Sequence, residues 1–99
     1  MYHGKGRLIY SEGDLYEGDW AHNQANGVGT LITMDGPTYT GGWRNDQQNG
    51  KGTEFWKDGS SYIGNFQNGK KKGLGIYKWG NNSSYEGIIF HWDLVYLFW

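Results

Sequence analysis

Four tyrosines recur along the chain at a spacing of 23 residues, and most of the sequence recurs with them: Tyr16, Tyr39, Tyr62 and Tyr85. Two residues after each tyrosine stands a glycine, and these are Gly18, Gly41, Gly64 and Gly87. Two residues further on stands a large apolar side chain, at Trp20, Trp43, Phe66 and Ile89. Pairs of glycines follow in phase, at Gly27 and Gly29, Gly50 and Gly52, and Gly73 and Gly75, with Gly4 and Gly6 one period earlier. A fixed period of roughly 20 to 50 residues indicates a repeat architecture.

A repeated surface of this kind favours binding over catalysis, because a catalytic site usually needs unlike groups that converge on one point. His3, His22 and His91 lie in different periods with no ligand spacing between them, so we expect surface histidines and no metal site. The chain contains no phosphate-binding loop, no dinucleotide fingerprint and no Ser/His/Asp arrangement. The sequence therefore predicts no catalytic residue, no cofactor and no small-molecule substrate.

Composition limits the remaining classes of function. The 99 residues suffice for one small domain, spanning 1–99, and the absence of cysteine permits a cytoplasmic location. A net charge of −1 gives no electrostatic reason to expect nucleic acid. Residues 1–49 carry three basic and six acidic side chains, whereas residues 50–99 carry six basic and four acidic ones. That gradient could favour head-to-tail association, although an ordinary solvated surface is the simpler interpretation.

Each period is predicted to form one β-hairpin. Tyr39, Gly41 and Trp43 alternate with polar or small residues, as in a strand with one apolar face. The polar run after Trp43 ends in Asn49-Gly50, a strong turn signal, and Asp58-Gly59 turns the chain towards the next period. The predicted strands lie near residues 5–10, 15–20, 28–33, 38–43, 51–56, 61–66, 74–79 and 84–90.

The glycine pairs are predicted to lie beneath aromatic rings. Both members of each pair share a strand parity, so they face the same side of the sheet. A tyrosine or tryptophan ring from the neighbouring strand can cover the bare backbone and recover the packing that glycine forfeits. On this hypothesis, Gly→Val at either Gly50 or Gly52 evicts a ring and is worse than the same change at the surface.

The predicted fold is all-β, an elongated single-layer antiparallel sheet of tandem 23-residue hairpins paired only with sequence neighbours. One face carries the aromatic residues, and the other carries mostly small or polar residues such as Glu17, Asp19, Thr40 and Asn65. Such a sheet has no second layer to cover the aromatic face. Either its twist curls that face in on itself, or a partner covers part of it.

Over residues 3–90 the sequence resembles MORN (membrane occupation and recognition nexus) repeats, whose pattern is Tyr-x-Gly-x-Trp, a spacer, Gly-x-Gly and a turn glycine. The units 16–38 and 39–61 match closely. The unit 62–84 has Phe66 in place of tryptophan and Asn82 at the turn glycine, a residue that tolerates the left-handed conformation. Residues 3–15 match the second half of a unit, which suggests further repeats upstream, and residues 85–99 form a divergent C-terminal unit.

This resemblance implies a non-catalytic scaffold for protein–protein interaction or self-association, within a larger assembly or a longer chain. The alternatives are a membrane-recruitment module that binds anionic phospholipid, or an accessory domain of a lipid kinase or methyltransferase. Junctional membrane proteins and ciliary radial-spoke proteins also carry such repeats. A cytoplasmic chain associated with cytoskeleton, cilium or membrane is the corresponding expectation.

The candidate binding residues fall into three groups. The aromatic ladder of Tyr16, Trp20, Tyr39, Trp43, Tyr62, Phe66 and Tyr85 is first of all the predicted core. Trp56 and Trp79 lie outside the Tyr-x-Gly-x-Trp frame and are predicted to be the better exposed anchors for a partner. Lys70, Lys71 and Lys72 are predicted to sit in the third hairpin loop, as a contact for anionic lipid or as an ordinary solvated loop.

The C-terminal unit breaks the pattern, since Trp92 lies in the spacer and Tyr96 and Phe98 occupy the Gly-x-Gly positions. With Trp99, these residues are candidate partner contacts, because an apolar edge strand left in water promotes aggregation. The hypothesis is that residues 85–99 are covered by a second copy, a partner strand or further sequence. Folding back over the chain's own sheet is the alternative.

Overall fold

In a computed structural model, the chain is described over residues 4–89. These residues form one open antiparallel sheet of eight strands and contain no helix. The strands are β1 (Gly4–Ile9), β2 (Leu15–Ala21), β3 (Gln24–Ile32), β4 (Thr38–Arg44), β5 (Gln47–Phe55), β6 (Ser61–Gln67), β7 (Lys70–Lys78) and β8 (Ser84–Ile89). Their spatial order equals their sequence order, so every strand pairs only with its neighbours in the chain. The predicted fold class is confirmed.

The second strand of each hairpin starts earlier than predicted. The turn of the second hairpin is Asn45-Asp46, with φ of 51° and 67°, and not Asn49-Gly50. His22-Asn23 has the same left-handed pair of φ values, 54° and 64°. Two consecutive left-handed residues match the twist of a two-residue hairpin. β3, β5 and β7 therefore begin about four residues before the predicted starts near 28, 51 and 74.

The Asn-Gly signal that suggested a turn marks a β-bulge instead. In the second hairpin the register runs from Gly41 opposite Gly52 to Trp43 opposite Gln48, so Asn49, Gly50 and Lys51 together face one residue of β4. Gly50 has a φ of +82°, a left-handed conformation that glycine adopts without steric cost. The same shift recurs in the first and third hairpins.

Three of the four connections between hairpins share one loop geometry. In the loop after β5, the amide of Gly59 donates to the carbonyl of Trp56, and the amide of Trp56 donates to the carbonyl of Ser60. In the loop after β7, Asn82 takes the glycine position with a φ of 72°. The prediction that this turn survives the substitution is confirmed, because asparagine tolerates the left-handed region.

The hairpin tips are hydrogen-bonded to one another along the sheet. Asp46 accepts a hydrogen bond from the amide of Ala25 at 2.6 Å, and its own amide donates to the carbonyl of Ala25. At the next junction the amide of Gly69 donates to the carbonyl of Gln48 at 3.0 Å. These bonds tie neighbouring repeats together in an elongated sheet, with principal dimensions of 48 × 24 × 18 Å.

Candidate functional site

One row of glycines crosses the whole sheet. Each is paired directly with the next across neighbouring strands: Gly6, Gly18, Gly29, Gly41, Gly52, Gly64, Gly75 and Gly87. The tyrosine of each hairpin lies over the glycine of that hairpin's second strand. A Cβ added to Gly52 would overlap the ring of Tyr39, and one added to Gly75 would overlap the ring of Tyr62. The tyrosine rings thus pack directly on the backbone of this glycine row.

The predicted ring-over-glycine packing holds for only one glycine of each pair. Gly29, Gly52 and Gly75 lie under tyrosine rings, whereas an added Cβ at Gly50 would meet nothing within 4 Å. At Gly27 and Gly73 the nearest atoms belong to Asp19 and Asn65. The prediction that Gly50 also accommodates a ring is wrong, because the bulge turns that residue into the left-handed conformation and away from the tyrosine.

Each tyrosine is held by one recurring hydrogen bond. The hydroxyl donates to the carbonyl three residues later, from Tyr16 to Asp19, Tyr39 to Gly42, Tyr62 to Asn65 and Tyr85 to Ile88, at 2.7 to 3.2 Å. Tyr16, Tyr39 and Tyr62 are at most 1 % exposed. Burial, followed by the charge of Asp19, raises the pKa of Tyr16 to about 12, and burial also raises the pKa of Tyr39.

The rings form a continuous ladder of edge-to-face contacts. Trp43 touches Tyr16 at 5.1 Å and Tyr39 at 5.2 Å between ring centroids, and Phe66 continues the series against Tyr39 and Tyr62. Edge-to-face geometry aligns the positive ring edge with the negative ring face. The rings of this face therefore bury one another, and coverage of part of the face by a partner stays a prediction. Within the described sheet, the aromatic face is the core.

A buried ion pair lies among the rings of the aromatic face, at the junction of the second and third repeats. The Lys71 ammonium lies 2.6 Å from a carboxylate oxygen of Glu54, and both side chains are under 10 % exposed. The same ammonium lies 5.2 to 5.7 Å from the ring centroids of Trp56, Tyr62 and Phe66. Burial lowers the pKa of Lys71, and the hydrogen bond and charge of Glu54 oppose that shift.

The prediction for the lysine cluster is therefore partly wrong. Lys70, Lys71 and Lys72 belong to β7 and not to the hairpin loop, which is Asn68-Gly69. Alternation along the strand turns Lys71 into the core, so it is not available to an anionic surface. Lys70 and Lys72 are exposed.

Trp56 and Trp79 are half-buried, so they are more exposed than most residues of the aromatic ladder, as predicted. Their role as anchors for a partner stays a prediction. Both rings stack against Tyr77, Trp56 at 6.1 Å and Trp79 at 5.4 Å between centroids, and Tyr77 itself is buried. They extend the core at the loop ends of β5 and β7. The remaining candidate partner contacts lie outside the described residues and stay a prediction: Trp92, Tyr96, Phe98 and Trp99.

The face opposite the rings changes character along the sheet. One cross-strand row runs through Arg7, Glu17, Thr30, Thr40, Thr53, Ile63, Ile76 and Glu86. The row has charged side chains in β1 and β2, threonines from β3 to β5, isoleucines in β6 and β7, and a glutamate in β8. The prediction of small or polar residues holds for Glu17, Asp19, Thr40 and Asn65 but is wrong at Ile63 and Ile76.

A groove of about 820 Å³ occupies that aliphatic part of the opposite face. We call it the isoleucine groove; its side chains come from β4 to β8 and include Thr53, Ile63, Leu74, Ile76 and Glu86. Ile63 is 47 % exposed and Leu74 is 65 % exposed. Lys51 and Asn65 lie at one side of the groove, directly opposite one another across β5 and β6. Solvated aliphatic groups next to a few polar ones are typical of a contact surface.

No group of three His, Asp or Glu side chains among residues 4–89 could hold a metal ion. Over the same residues, no helix is long and apolar enough to cross a bilayer. Among the described residues, burial shifts the pKa values of Lys71 and of five tyrosines: Tyr10, Tyr16, Tyr39, Tyr62 and Tyr77. Local hydrogen bonds lower the pKa values of the half-buried Asp19 and the exposed Asp58.

Comparison with known proteins agrees with this geometry. A search of curated proteins returned no match. The family model for the MORN repeat matches four consecutive segments, residues 1–15, 16–38, 39–61 and 62–84. Each full segment begins at a tyrosine whose ring lies over a glycine of the cross-strand row and ends at the first residue of the next hairpin's first strand. The chain belongs to the MORN repeat family.

Proposed function

We propose that this chain is a non-catalytic scaffold that binds an apolar segment of a partner protein in the isoleucine groove. The observation that carries the proposal is the exposure of Ile63 and Leu74, which line the groove, on a face that the fold does not use as its core. The aromatic residues already supply the core on the other face. Packing within the sheet therefore does not explain these exposed aliphatic side chains, whereas burial against a partner would.

The chemistry of the groove limits what it can bind. Its floor is aliphatic, so a partner gains most by burying apolar side chains there, at about 25 cal/mol per Å² of apolar surface. Lys51 lies at one side and Glu86 at the other. Charged groups at the rim of an interface fix orientation more than they add affinity. The expected partner segment has an apolar centre, with an acidic residue near Lys51 and a basic residue near Glu86.

The first repeat supplies a matched control for this surface. Val28 and Leu74 occupy the same position of the 23-residue period, in β3 and β7, and are 60 % and 65 % exposed. Only Leu74 lines the groove. The two side chains thus differ in location along the sheet while sharing strand environment and exposure.

The test uses a random peptide display library as the probe. Peptides selected on the wild-type chain are measured for affinity against Leu74→Gln and Val28→Gln. We expect Leu74→Gln to weaken binding about tenfold, equivalent to about 1.4 kcal/mol, and Val28→Gln to leave it within about twofold. Failure to select any peptide, or equal losses in the two variants, would show that the groove is not the binding surface.

Membrane recruitment is the alternative, and the burial of Lys71 weakens it. Only Lys70 and Lys72 of the lysine cluster remain exposed, and each would contribute about 1 kcal/mol near an anionic surface. Co-sedimentation with phosphatidylserine vesicles separates the two functions. Binding that is lost in Lys70→Gln/Lys72→Gln but kept in Leu74→Gln would favour the membrane. A cytoplasmic, cytoskeletal or ciliary setting stays a prediction from the family resemblance.

A further inference from the structure

The two outermost strands of the described sheet are complementary halves of one repeat. β8 carries the first half, with Tyr85, Gly87 and Ile89 in the positions of Tyr16, Gly18 and Trp20. β1 carries the second half, with Gly6 and Leu8 in the positions of Gly29 and Leu31. Among residues 4–89, each of these strands has a neighbouring strand on one side only. The free side of β8 is the side on which every other first strand pairs with its own hairpin partner.

We propose that copies of this chain associate head to tail, with β8 of one copy pairing with β1 of the next to complete a MORN repeat. The occupant of each edge is thus a second copy. This inference is independent of the proposed function, because it uses the strand edges and not the isoleucine groove. Pairing of a first strand on one copy with a second strand on another is heterologous and continues the sheet.

The register of this contact follows from the hairpins inside the chain. In the first hairpin, Tyr16 lies opposite Leu31 and Gly18 opposite Gly29. The same register between copies places Tyr85 opposite Leu8 and Gly87 opposite Gly6. The ring of Tyr85 then lies towards Gly6 as the ring of Tyr16 lies over Gly29. Leu8, which is 38 % exposed in the single chain, becomes the counterpart of Leu31 in the core.

Charge complements this register on the opposite face. Glu86 of one copy falls opposite Arg7 of the next, extending the cross-strand row that already contains the Arg7–Glu17 pair at 3.8 Å. Opposite charges directly across two strands stabilise the pairing, whereas like charges oppose it. The halves of the chain also carry net charges of opposite sign, since acidic residues outnumber basic ones in residues 1–49 and the reverse holds in 50–99. Both features favour contact between unlike ends.

The chain's own continuation is a poorer match for β8 in sequence. The position that holds Gly29, Gly52 and Gly75 in the other repeats is occupied by Phe98 in the next period. A phenylalanine there cannot offer the bare backbone on which a tyrosine ring lies. β1 offers Gly6 at that position, so a second copy satisfies the repeat pattern better than residues 90–99 do.

Engineered cysteines test the contact directly, because the chain has no cysteine of its own. Glu86→Cys in one preparation is mixed with Arg7→Cys in another, differently tagged, and oxidised mildly. Directly opposed residues in an antiparallel pair have Cβ atoms about 4.5–5.5 Å apart, close enough for a disulfide after small adjustment. Arg7 and Glu17 are both exposed, so Arg7→Cys is not expected to disturb folding.

The matched control is Glu86→Cys mixed with Leu8→Cys, which moves the thiol by one residue and hence to the other face of the sheet. We expect the 86–7 heterodimer to form at least about ten times faster than the 86–8 control. The double variant Arg7→Cys/Glu86→Cys should give a ladder of multimers. Equal yields in the two mixtures would overturn the proposal, as would a predominance of 86–86 or 7–7 homodimers. Coverage of β8 by the chain's own residues or by another protein strand would appear as the first of these results.

Discussion

The first and third repeats share one frame and differ in what they place on its two faces. Tyr16 and Tyr62 have the same burial, the same hydrogen bond to the third following residue and the same glycine beneath the ring. Around Tyr16 the core is completed by Trp20, Ala25 and Leu31. Around Tyr62 it is completed by Phe66, Tyr77 and the Glu54–Lys71 pair. The tyrosine frame therefore sets the fold, and other positions are free to vary.

The opposite faces of these two repeats differ even more. In the first repeat, Asp19 accepts hydrogen bonds from Lys5 and from the amide of Val28, and that face is charged. In the third repeat the corresponding positions hold the exposed Ile63 and the half-buried Ile76. Both surfaces rest on the same backbone register. The difference teaches that the outward face of a repeat can change its chemistry while the tyrosines, the paired glycines and the strand register stay the same.

The largest expected effect comes from Trp43, which joins the two regions. Trp43→Ala removes ring contacts to Tyr16 and Tyr39 and the hydrogen bond from its indole nitrogen to the Gly29 carbonyl, at 3.0 Å. We expect the free energy of unfolding to fall by about 3–5 kcal/mol. Both tryptophans are half-buried. Trp56→Ala should nevertheless cost less, because Trp56 stacks against Tyr77 at the longer centroid distance of 6.1 Å. Urea denaturation of both variants measures this, and equal midpoints would contradict the assignment of the ring ladder as the core.

The next effect concerns the ion pair that distinguishes the third repeat. Glu54→Leu copies the residue that the first repeat has at this position, Leu31, and leaves the Lys71 ammonium buried without its carboxylate. We expect a loss of about 3 kcal/mol in the free energy of unfolding. The double variant Glu54→Leu/Lys71→Met should recover most of that loss, because two apolar residues replace two buried charges. A double variant as unstable as the single one would show that the pair itself, and not the uncompensated charge, governs stability there.

A smaller effect separates the two glycines of one pair. Gly52→Asn must displace the ring of Tyr39, and we expect it to cost about 2–3 kcal/mol. Gly50→Asn places a residue that tolerates φ of +82° into open space, so its cost should stay below about 0.5 kcal/mol. Thermal denaturation compares the same substitution two residues apart. If the order of the two melting temperatures were reversed, the ring-on-glycine account would be wrong.

The smallest effects on folding are expected on the face opposite the rings. Val28→Gln and Leu74→Gln should each change the free energy of unfolding by less than about 0.5 kcal/mol, because both side chains are largely exposed. Urea denaturation of these two variants also serves the binding experiment, since a loss of affinity then cannot be attributed to unfolding. A cost above about 1 kcal/mol for Leu74→Gln would mean that the groove residues belong to the core.

Much of the fold could be predicted because the alternation of apolar residues within a strand recurs at the same positions in every 23-residue repeat. The alternation of Tyr39, Gly41 and Trp43 marks a face, and each later repeat confirms it. The turn was misplaced because Asn49-Gly50 is a stronger short-range signal than Asn45-Asp46. Both pairs contain left-handed residues, but one closes a hairpin and the other forms a bulge. Sequence alone does not tell which pair forms the hairpin turn and which forms the β-bulge, because that depends on the hydrogen bonds made with the opposite strand.

The ion pair and the groove were missed, although a signal for both was present. Alternation from Gly52 places Glu54 on the aromatic face, and alternation from Gly75 places Lys71 there. The assignment of Lys71 to a loop concealed this. The same alternation places Ile63 and Ile76 on the opposite face. That these two lie side by side follows from the register between β6 and β7, which becomes certain only once the bulge is located.

The central claim is that the aromatic face of this single-layer sheet is a closed core, and titration of its tyrosines tests it most directly. Burial raises the pKa of Tyr16 to about 12 and also raises the pKa values of Tyr39, Tyr62 and Tyr77. Each of these tyrosines has a higher pKa in the folded chain than in the unfolded chain. The stability that its protonated form contributes is therefore fully present below about pH 10, and it is lost as the pH rises towards and beyond 12. In that pH range each such tyrosine lowers the free energy of unfolding by about 1.4 kcal/mol per pH unit.

The measurement follows tyrosinate absorbance and strand circular dichroism on the same samples from pH 9 to 13. The account predicts that the buried tyrosines ionise well above pH 10, in one cooperative step that coincides with loss of the strand signal. Reversible ionisation of all the tyrosines near pH 10, with the strand signal intact, would show that the rings are open to solvent and would contradict the account.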